Sequence, residues 1–207
     1  MAMVRQSRMK RSALCMIVVA LAVLGSAHRG DAFDADDAFT KGGHVLSIEG
    51  GYGEQFDLWN TTITGLDFFN AGVRVGFLPW GVVGAGPFKG ALEIGIEPFY
   101  QRFIEPERAY FAGLGAVARY HFLPLGRLVP YLELGAAPGA TDLRVREQRT
   151  DVVFLLFGGV GASYFVTEHA ALYAGYRLQH ISNAGTDSPN QGINSHTGVA
   201  GLSIFFR

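Results

Sequence analysis

The chain has 207 residues, of which 49% are hydrophobic, 13% are aromatic and only 17% are charged, and it contains 28 glycines. Soluble domains usually carry about 25% charged residues, so this composition indicates a non-aqueous neighbour and excludes a disordered chain. Basic and acidic residues number 17 and 18, which excludes the basic excess typical of nucleic-acid-binding proteins.

The first 27 residues have the composition of a secretory signal peptide. Four basic residues precede the apolar run 13–24, and a Gly-Ser-Ala sequence follows it at 25–27. We therefore predict that residues 1–27 are a cleaved signal peptide and that the protein is exported. The single cysteine, Cys15, lies in this segment, so the mature chain is expected to have no disulfide and no thiol nucleophile.

Residues 28–43 are polar and rich in aspartate, with Asp31, Asp34, Asp36 and Asp37 close together. Their spacing does not match a Ca²⁺-binding loop. We expect residues 28–43 to form a flexible periplasmic segment in front of the first strand.

Residues 44–207 divide into eight segments in which apolar and polar residues alternate, with turn-forming clusters between them. None of these segments reaches the roughly 20 apolar residues that a transmembrane helix needs. The segments are His44–Gly53, Asp67–Leu78, Gly90–Arg102, Arg108–Phe122, Val129–Ala137, Val152–Val166, Ala170–Asn183 and Ser195–Phe206.

The two faces of these segments differ in a way that favours a membrane barrel over a soluble sandwich. One face is apolar and often ends in aromatic residues, whereas the other carries glycine and charge, which is typical of outer-membrane strands of about 10 to 14 residues. We therefore predict an all-β fold, an eight-stranded antiparallel transmembrane β-barrel over residues 44–207, in the bacterial outer membrane with both termini periplasmic. Its lumen is expected to be packed rather than open, with the charges paired inside: Glu49, Glu93, Glu97, Glu133, Arg74, Arg119 and Arg177.

Two other patterns have ordinary structural interpretations. The run GLGAVA at 113–118 matches a dinucleotide-binding fingerprint in its letters, but it lies in the middle of a predicted strand instead of a strand-to-helix turn. Arg144, Arg146 and Arg149 in the predicted outer loop 138–151 are candidates for contact with lipid phosphates. Acidic residues interleave with them, so a solvated loop is favoured.

The seventh segment places polar residues on the face that should meet lipid. Arg177 and Gln179 mark one face as luminal, so His180 and Ser182 fall on the other, and Asn194 and His196 share that face in the next strand. Residues i and i+2 of a strand lie roughly 6.5 to 7 Å apart on the same side. At this spacing a histidine base can reach the hydroxyl of a serine nucleophile. An interfacial girdle of polar residues is the alternative explanation.

The sequence RLQHISNAG at 177–185, followed by PNQGIN at 189–194, resembles the signature of the lipid A 3-O-deacylase family, also called acyloxyacyl hydrolases. The resemblance implies an outer-membrane barrel that hydrolyses an ester of lipid A in the outer leaflet. It further implies that His180 is the base, Ser182 the nucleophile and Asn183 a contributor to the oxyanion hole. Where such enzymes can carry a glutamate that orients the histidine, this chain has Asn194.

The sequence therefore predicts an outer-membrane serine esterase that removes an ester-linked acyl chain from lipid A, with no cofactor and no metal. Its partner is the lipopolysaccharide of the outer leaflet, and Asp187 and His196 are alternative third members of the site. The competing hypothesis is a non-enzymatic eight-stranded barrel with a structural or adhesion role, and a soluble β-sandwich lectin comes third. The acyl position and the oligomeric state are left open.

Overall fold

A computed structural model describes residues 33–58 and 63–207; the predicted signal peptide lies outside the described residues. A short helix, α1 (Ala35–Ala38), precedes the strands, and a 3₁₀ turn (Gly86–Phe88) lies between β3 and β4. The strands are β1 (His44–Gln55), β2 (Asp67–Phe77), β3 (Val82–Val83), β4 (Gly90–Glu105), β5 (Ala109–Phe122), β6 (Leu128–Thr141), β7 (Val152–Phe165), β8 (Ala170–Ser182) and β9 (Ile193–Phe206).

Eight of these strands form a closed antiparallel barrel, which confirms the predicted fold. Strand β1 pairs with both β2 and β9, each strand from β4 to β9 pairs with its neighbours in sequence, and the β2–β4 pairing closes the ring. The short strand β3 adds one pairing to β4 within the connection between β2 and β4.

The strand ends lie within a few residues of their predicted positions. The largest difference is β6, which continues past the predicted end at Ala137 to Thr141. Pro138 has no N–H to give to a neighbouring strand and so marks a strand end in the sequence. Pairing with β7 nevertheless continues through Pro138 and Gly139 as far as Ala140.

The strands alternate between an outward apolar face and an inward polar one. Outward side chains such as Leu134 and Val75 are 69% and 57% exposed, whereas the three luminal arginines are at most 1% exposed. An outward apolar band with a polar interior is the pattern of a barrel surrounded by lipid. Among the described residues, no helix has the length and apolar character needed to cross a membrane.

The lumen is filled by three layers, with ion pairs in the middle one. Arg177 pairs with Glu133 at 2.6 Å and also with Glu49, while Arg74 lies 2.9 Å from Glu93. Apolar clusters lie on both sides of this layer, one toward the outer loops and one toward the periplasmic turns. The prediction of paired luminal charges in a packed barrel is confirmed.

At the periplasmic end, the segment expected to be flexible is packed against the barrel from Phe33 onward, where the structure describes it. Asp34 caps α1 by accepting a hydrogen bond from the Asp36 N–H at 2.9 Å, and the Phe39 side chain is fully buried in the periplasmic apolar cluster. Asp36 lies 3.3 Å from Lys89, and Asp37 pairs with Arg207. Burial of the Phe39 ring and ion pairs to Lys89 and to the C-terminal Arg207 hold this polar segment against the end of the barrel.

Candidate active site

The candidate site lies on the outward face of β8 and β9, where these strands reach the outer loops. His180 and Ser182 are two residues apart near the end of β8, and Asn194 on β9 lies directly opposite His180 in the antiparallel register. All three side chains are half-buried, whereas the alternating residues Gln179 and Ile181 are buried inside the barrel. Strand parity therefore places the three candidates together on the outward face of the barrel. Their position near the ends of the strands places them beside the outer loops.

A hydrogen bond links the histidine to the asparagine across the two strands. His180 Nδ1 lies 2.8 Å from Asn194 Oδ1. An amide oxygen can only accept, so His180 Nδ1 is the donor in this contact, and in the neutral imidazole Nε2 is then the nitrogen with the lone pair. This is the tautomer that a general base needs, and the bond fixes the plane of the ring as well.

Ser182 ends β8 and faces outward beside His180. Its Cα is paired with that of Phe154 on β7, whose side chain is also partly exposed on the outer wall. Neither the Ser182 hydroxyl nor His180 Nε2 makes a hydrogen bond to the described residues. The i, i+2 spacing of roughly 6.5 to 7 Å puts the two groups on the same side of one strand. The arrangement supplies an oriented base and a neighbouring hydroxyl.

Asn183, the predicted contributor to the oxyanion hole, follows Ser182 directly and lies at the start of the loop 183–192. Its side chain is fully buried inside the barrel mouth, on the opposite face of the strand from His180 and Ser182. Its backbone N–H donates to Asn190 Oδ1 at 3.1 Å, and its side-chain amide donates to the Asp187 carbonyl at 2.9 Å. These two donors serve the loop 183–192, so Asn183 shapes that loop.

The turn that Asn183 forms leaves one backbone N–H beside the serine without a partner among the described residues. Asn183 Oδ1 accepts from the Gly185 N–H at 2.9 Å, and this turn holds Ala184 at a φ of +54°. Left-handed backbone is uncommon for alanine and is typical of sites where the surrounding structure enforces it. The Ala184 N–H makes no hydrogen bond to the described residues. The N–H groups of Asn183, Gly185 and Thr186 all have partners within the loop, so the Ala184 N–H is the available donor of residues 183–186.

Gly192 supports the imidazole of His180 from the loop side, a role that the sequence does not reveal. A Cβ added to Gly192 would lie 2.5 Å from His180 Cε1 and 3.1 Å from Nε2, and the glycine has a φ of +71°. The loop backbone therefore packs directly against the ring, as only glycine permits. Gly192 belongs to the family-like run, but its left-handed conformation depends on the folded loop.

We expect Gly192→Ala to lower the deacylation rate by about 10²-fold, because the new methyl group must displace the His180 ring and a shift near 1 Å costs about that much. The matched control is Gly185→Ala in the same loop, where φ is +77° and no heavy atom lies within 4 Å of the added Cβ. Both variants carry the same backbone strain, but only one touches the ring. Equal losses of activity in the two variants would contradict the support role, and heat-dependent gel migration reports whether each barrel is folded.

The other predicted groups make contacts of their own. The carboxylate of Asp187 accepts the Ser188 N–H at 2.7 Å, and the ring of His196 stacks on Tyr176 at 5.8 Å. The run 113–118 lies within β5, as its strand interpretation requires. Arg144 pairs with Asp151 on the surface. In the described part of the chain, no group of three or more His, Cys, Asp and Glu side chains is arranged to hold a metal ion.

The outer loop 142–151 is not simply a solvated loop. Its Glu147 is fully buried, and the carboxylate accepts the N–H and the hydroxyl of Thr64 at 2.7 and 2.6 Å and the side-chain amide of Gln55 at 3.2 Å. Burial alone raises the pKa of Glu147, but the hydrogen bonds from Thr64 and Gln55 outweigh burial and lower the pKa below its ordinary value. The group is therefore ionised at neutral pH.

The barrel is similar in fold to solved structures of outer-membrane proteins. The outer membrane enzyme PagL has a TM-score of 0.57 at 21% identity, with 77% of this chain and 98% of that chain covered. Neisserial surface protein A has a TM-score of 0.56 at 16% identity, with 79% and 99% covered. At these identities the similarity shows the fold, and the protein is an outer-membrane β-barrel, as predicted. No curated protein sequence matches the chain significantly.

The family follows from the sequence match. The model of the lipid A 3-O-deacylase (PagL) family matches residues 69–203, which include the candidate site on β8 and β9. The chain belongs to this family, as its signature predicted. Removal of a 3-O-acyl group is hydrolysis of an ester, so the family is one of ester hydrolases. The prediction of a lipid A 3-O-deacylase-like ester hydrolase is confirmed at the level of the family.

Proposed function

We propose that the protein removes an ester-linked acyl chain from lipid A by a serine esterase mechanism in which His180, Ser182 and Asn194 act together. The observation that carries the proposal is the 2.8 Å hydrogen bond between His180 Nδ1 and Asn194 Oδ1 on the outward barrel face, beside the Ser182 hydroxyl. Membership of the lipid A 3-O-deacylase family supports the substrate.

The location of the site fits a substrate that does not leave the membrane. The outward face carries exposed apolar side chains next to the site, including Leu156 and Leu178, which lie opposite His180 and His196 in the strand register. Lipid A is anchored in the outer leaflet by its acyl chains. An outward serine at the outer end of β8 meets the ester bonds of such a lipid at the depth where its sugar and acyl chains join.

Acylation begins when Ser182 Oγ transfers its proton to His180 Nε2 and attacks the acyl carbonyl carbon. The carbonyl π electrons move to oxygen, and the Ala184 N–H donates to this oxyanion. When the tetrahedral intermediate collapses, the ester C–O bond to the sugar breaks, and the proton on Nε2 passes to the sugar oxygen. The acyl chain is then bound to Ser182 as an ester.

Deacylation repeats these steps with water as the nucleophile. His180 Nε2 takes a proton from water, the hydroxide attacks the acyl-enzyme carbonyl, and collapse returns the proton to Ser182 Oγ while the fatty acid leaves. Asn194 keeps the ring oriented in both halves of the reaction. Its amide does not offset the positive charge of the imidazolium, so the mechanism runs without the charge stabilisation that a carboxylate would supply.

The direct test is mass spectrometry of lipid A from outer membranes with and without the protein. The proposal expects a lipid A species that has lost the mass of one acyl chain, together with the corresponding free fatty acid. Unchanged lipid A in cells whose barrel shifts normally on unheated gels would favour the non-enzymatic structural or adhesion role.

A further inference from the structure

The loop 183–192, which follows Ser182, is held in place by the outer loop 142–151. The contacts between the two loops lie at Glu147 and its neighbour Gln148. The Gln191 N–H donates to the backbone carbonyl of Glu147 at 3.1 Å, and Gln148 forms an isolated antiparallel bridge with Asn190. Asn190 in turn accepts the Asn183 N–H through its side-chain oxygen. The backbone of Glu147 and Gln148 is thus two contacts away from the residue that follows Ser182.

The side chain of Glu147 fixes this backbone to the opposite side of the barrel mouth. Its carboxylate receives the N–H and hydroxyl of Thr64 and the amide of Gln55, all of them uncharged donors. Gln55 ends β1, and its own oxygen accepts from the N–H groups of Gly65 and Leu66 at 2.8 and 3.1 Å. Hydrogen bonds to an ionised, fully buried carboxylate are among the stronger ones in proteins, and a lost partner leaves a costly unpaired group.

The local chain conformation leaves the Glu147 side chain little freedom. Val145 and Gln148 exchange backbone hydrogen bonds at 3.0 and 3.3 Å, so Glu147 sits in a tight turn. Leu143 and Val145 are buried in the apolar cluster below the outer loops, which anchors the start of that turn. A turn anchored by buried side chains on one side and by the carboxylate on the other is a rigid support for the loop that packs on it.

We propose that Glu147 is a positioning residue, which holds loop 183–192 against β8 and thereby keeps the Ala184 N–H and the Gly192 support of His180 in their places. The proposal rests on the proposed function, because it concerns the geometry of that same site. Glu147 acts through Asn190, Gln191 and their neighbours and does not touch the reacting groups. Its contribution is to the preorganisation of the site and not to the depth or affinity of lipid binding.

The test compares Glu147→Gln with Asp151→Asn in the full-length protein. Asp151 lies in the same loop, is exposed and pairs with Arg144 on the surface, so its variant controls for loss of a loop carboxylate. In Glu147→Gln an NH₂ group replaces one carboxylate oxygen. This donor then faces the donors of Thr64 or Gln55, which it cannot accept. We expect kcat on lipid A to fall at least about tenfold with KM within about twofold, and Asp151→Asn to leave both values unchanged.

Hydrogen exchange supplies a readout that does not depend on catalysis. We expect the backbone amides of residues 183–192 to exchange about tenfold faster in Glu147→Gln, with the amides of β8 and β9 unchanged. Unchanged exchange in this loop would overturn the proposal, and so would faster exchange accompanied by an unchanged kcat. Failure of the proposed function is recognised separately, because a wild-type protein that does not deacylate lipid A still shows by exchange whether Glu147 holds the loop.

Discussion

Replacing Ser182 by alanine is expected to abolish lipid A deacylation, with a loss of at least about 10³-fold, because the substitution removes the atom that forms the acyl-enzyme. The Ser182 hydroxyl makes no hydrogen bond to the described residues and lies half-buried on the outward face. Its loss should therefore leave the barrel intact. Lipid A mass spectrometry on matched amounts of outer membrane measures the activity, and heat-dependent gel migration measures folding.

Ser188→Ala is the matched control for this variant. Ser188 is an exposed serine in the same outer loop, and its hydrogen bond to Asp187 uses the backbone N–H, which the substitution keeps. Full activity is expected. If Ser182→Ala were as active as Ser188→Ala, Ser182 would not be the nucleophile, and an attacking water activated by His180 would become the simpler mechanism.

The barrel was predictable from the sequence because the alternation that marks each strand is contained in a few consecutive residues. Each strand buries one face and exposes the other, so a period of two is visible in any window of six to eight residues. The luminal glutamates and arginines mark the inward face, and all seven predicted charges are buried there. Strand ends were less well defined where Pro138 suggested a stop that pairing with β7 overrides.

The N-terminal segment was not predictable in the same way. A run of aspartates with only two aromatic residues, Phe33 and Phe39, looks solvated in isolation, and no periodicity marks a helix of four residues. Phe39 is buried because the barrel provides an apolar cluster at its periplasmic end, and Asp36 and Asp37 find cations on Lys89 and Arg207. These partners come from distant parts of the chain and exist only once the barrel has closed.

In the site too, the residues on strands were predictable, whereas the residues whose roles depend on loop packing were not. Parity alone places His180, Ser182 and Asn194 on one face, and the antiparallel register sets His180 opposite Asn194. The roles of Gly192 and Glu147 depend on how loops fold over the barrel mouth, where no alternation constrains the sequence. The direction of the Asn183 donors depends on the same loop packing, which alternation along the strands does not reveal.

The largest gain of activity is expected from Asn194→Asp. The aspartate side chain has the same length as asparagine, so it preserves the 2.8 Å contact to His180 Nδ1 while adding a negative charge. A carboxylate accepts only, which excludes the alternative in which an amide N–H donates to Nδ1, and it stabilises the imidazolium formed during acylation. In serine proteases the reverse change costs about 10⁴-fold in turnover. We expect kcat to rise at least about tenfold at neutral pH.

The full experiment compares alanine, asparagine, aspartate and glutamate at position 194 in one lipid A assay, with folding checked by heat-dependent migration. Asn194→Ala loses the hydrogen bond and the orientation of the ring, so its rate should fall at least about tenfold below wild type. Asn194→Glu carries the charge on a longer side chain, and its rate should equal or exceed that of the wild type. If alanine matched asparagine and neither acid changed the rate, Asn194 would not orient His180. Because His196 shares the outward face of β9 two residues away, it would then be the next residue to substitute.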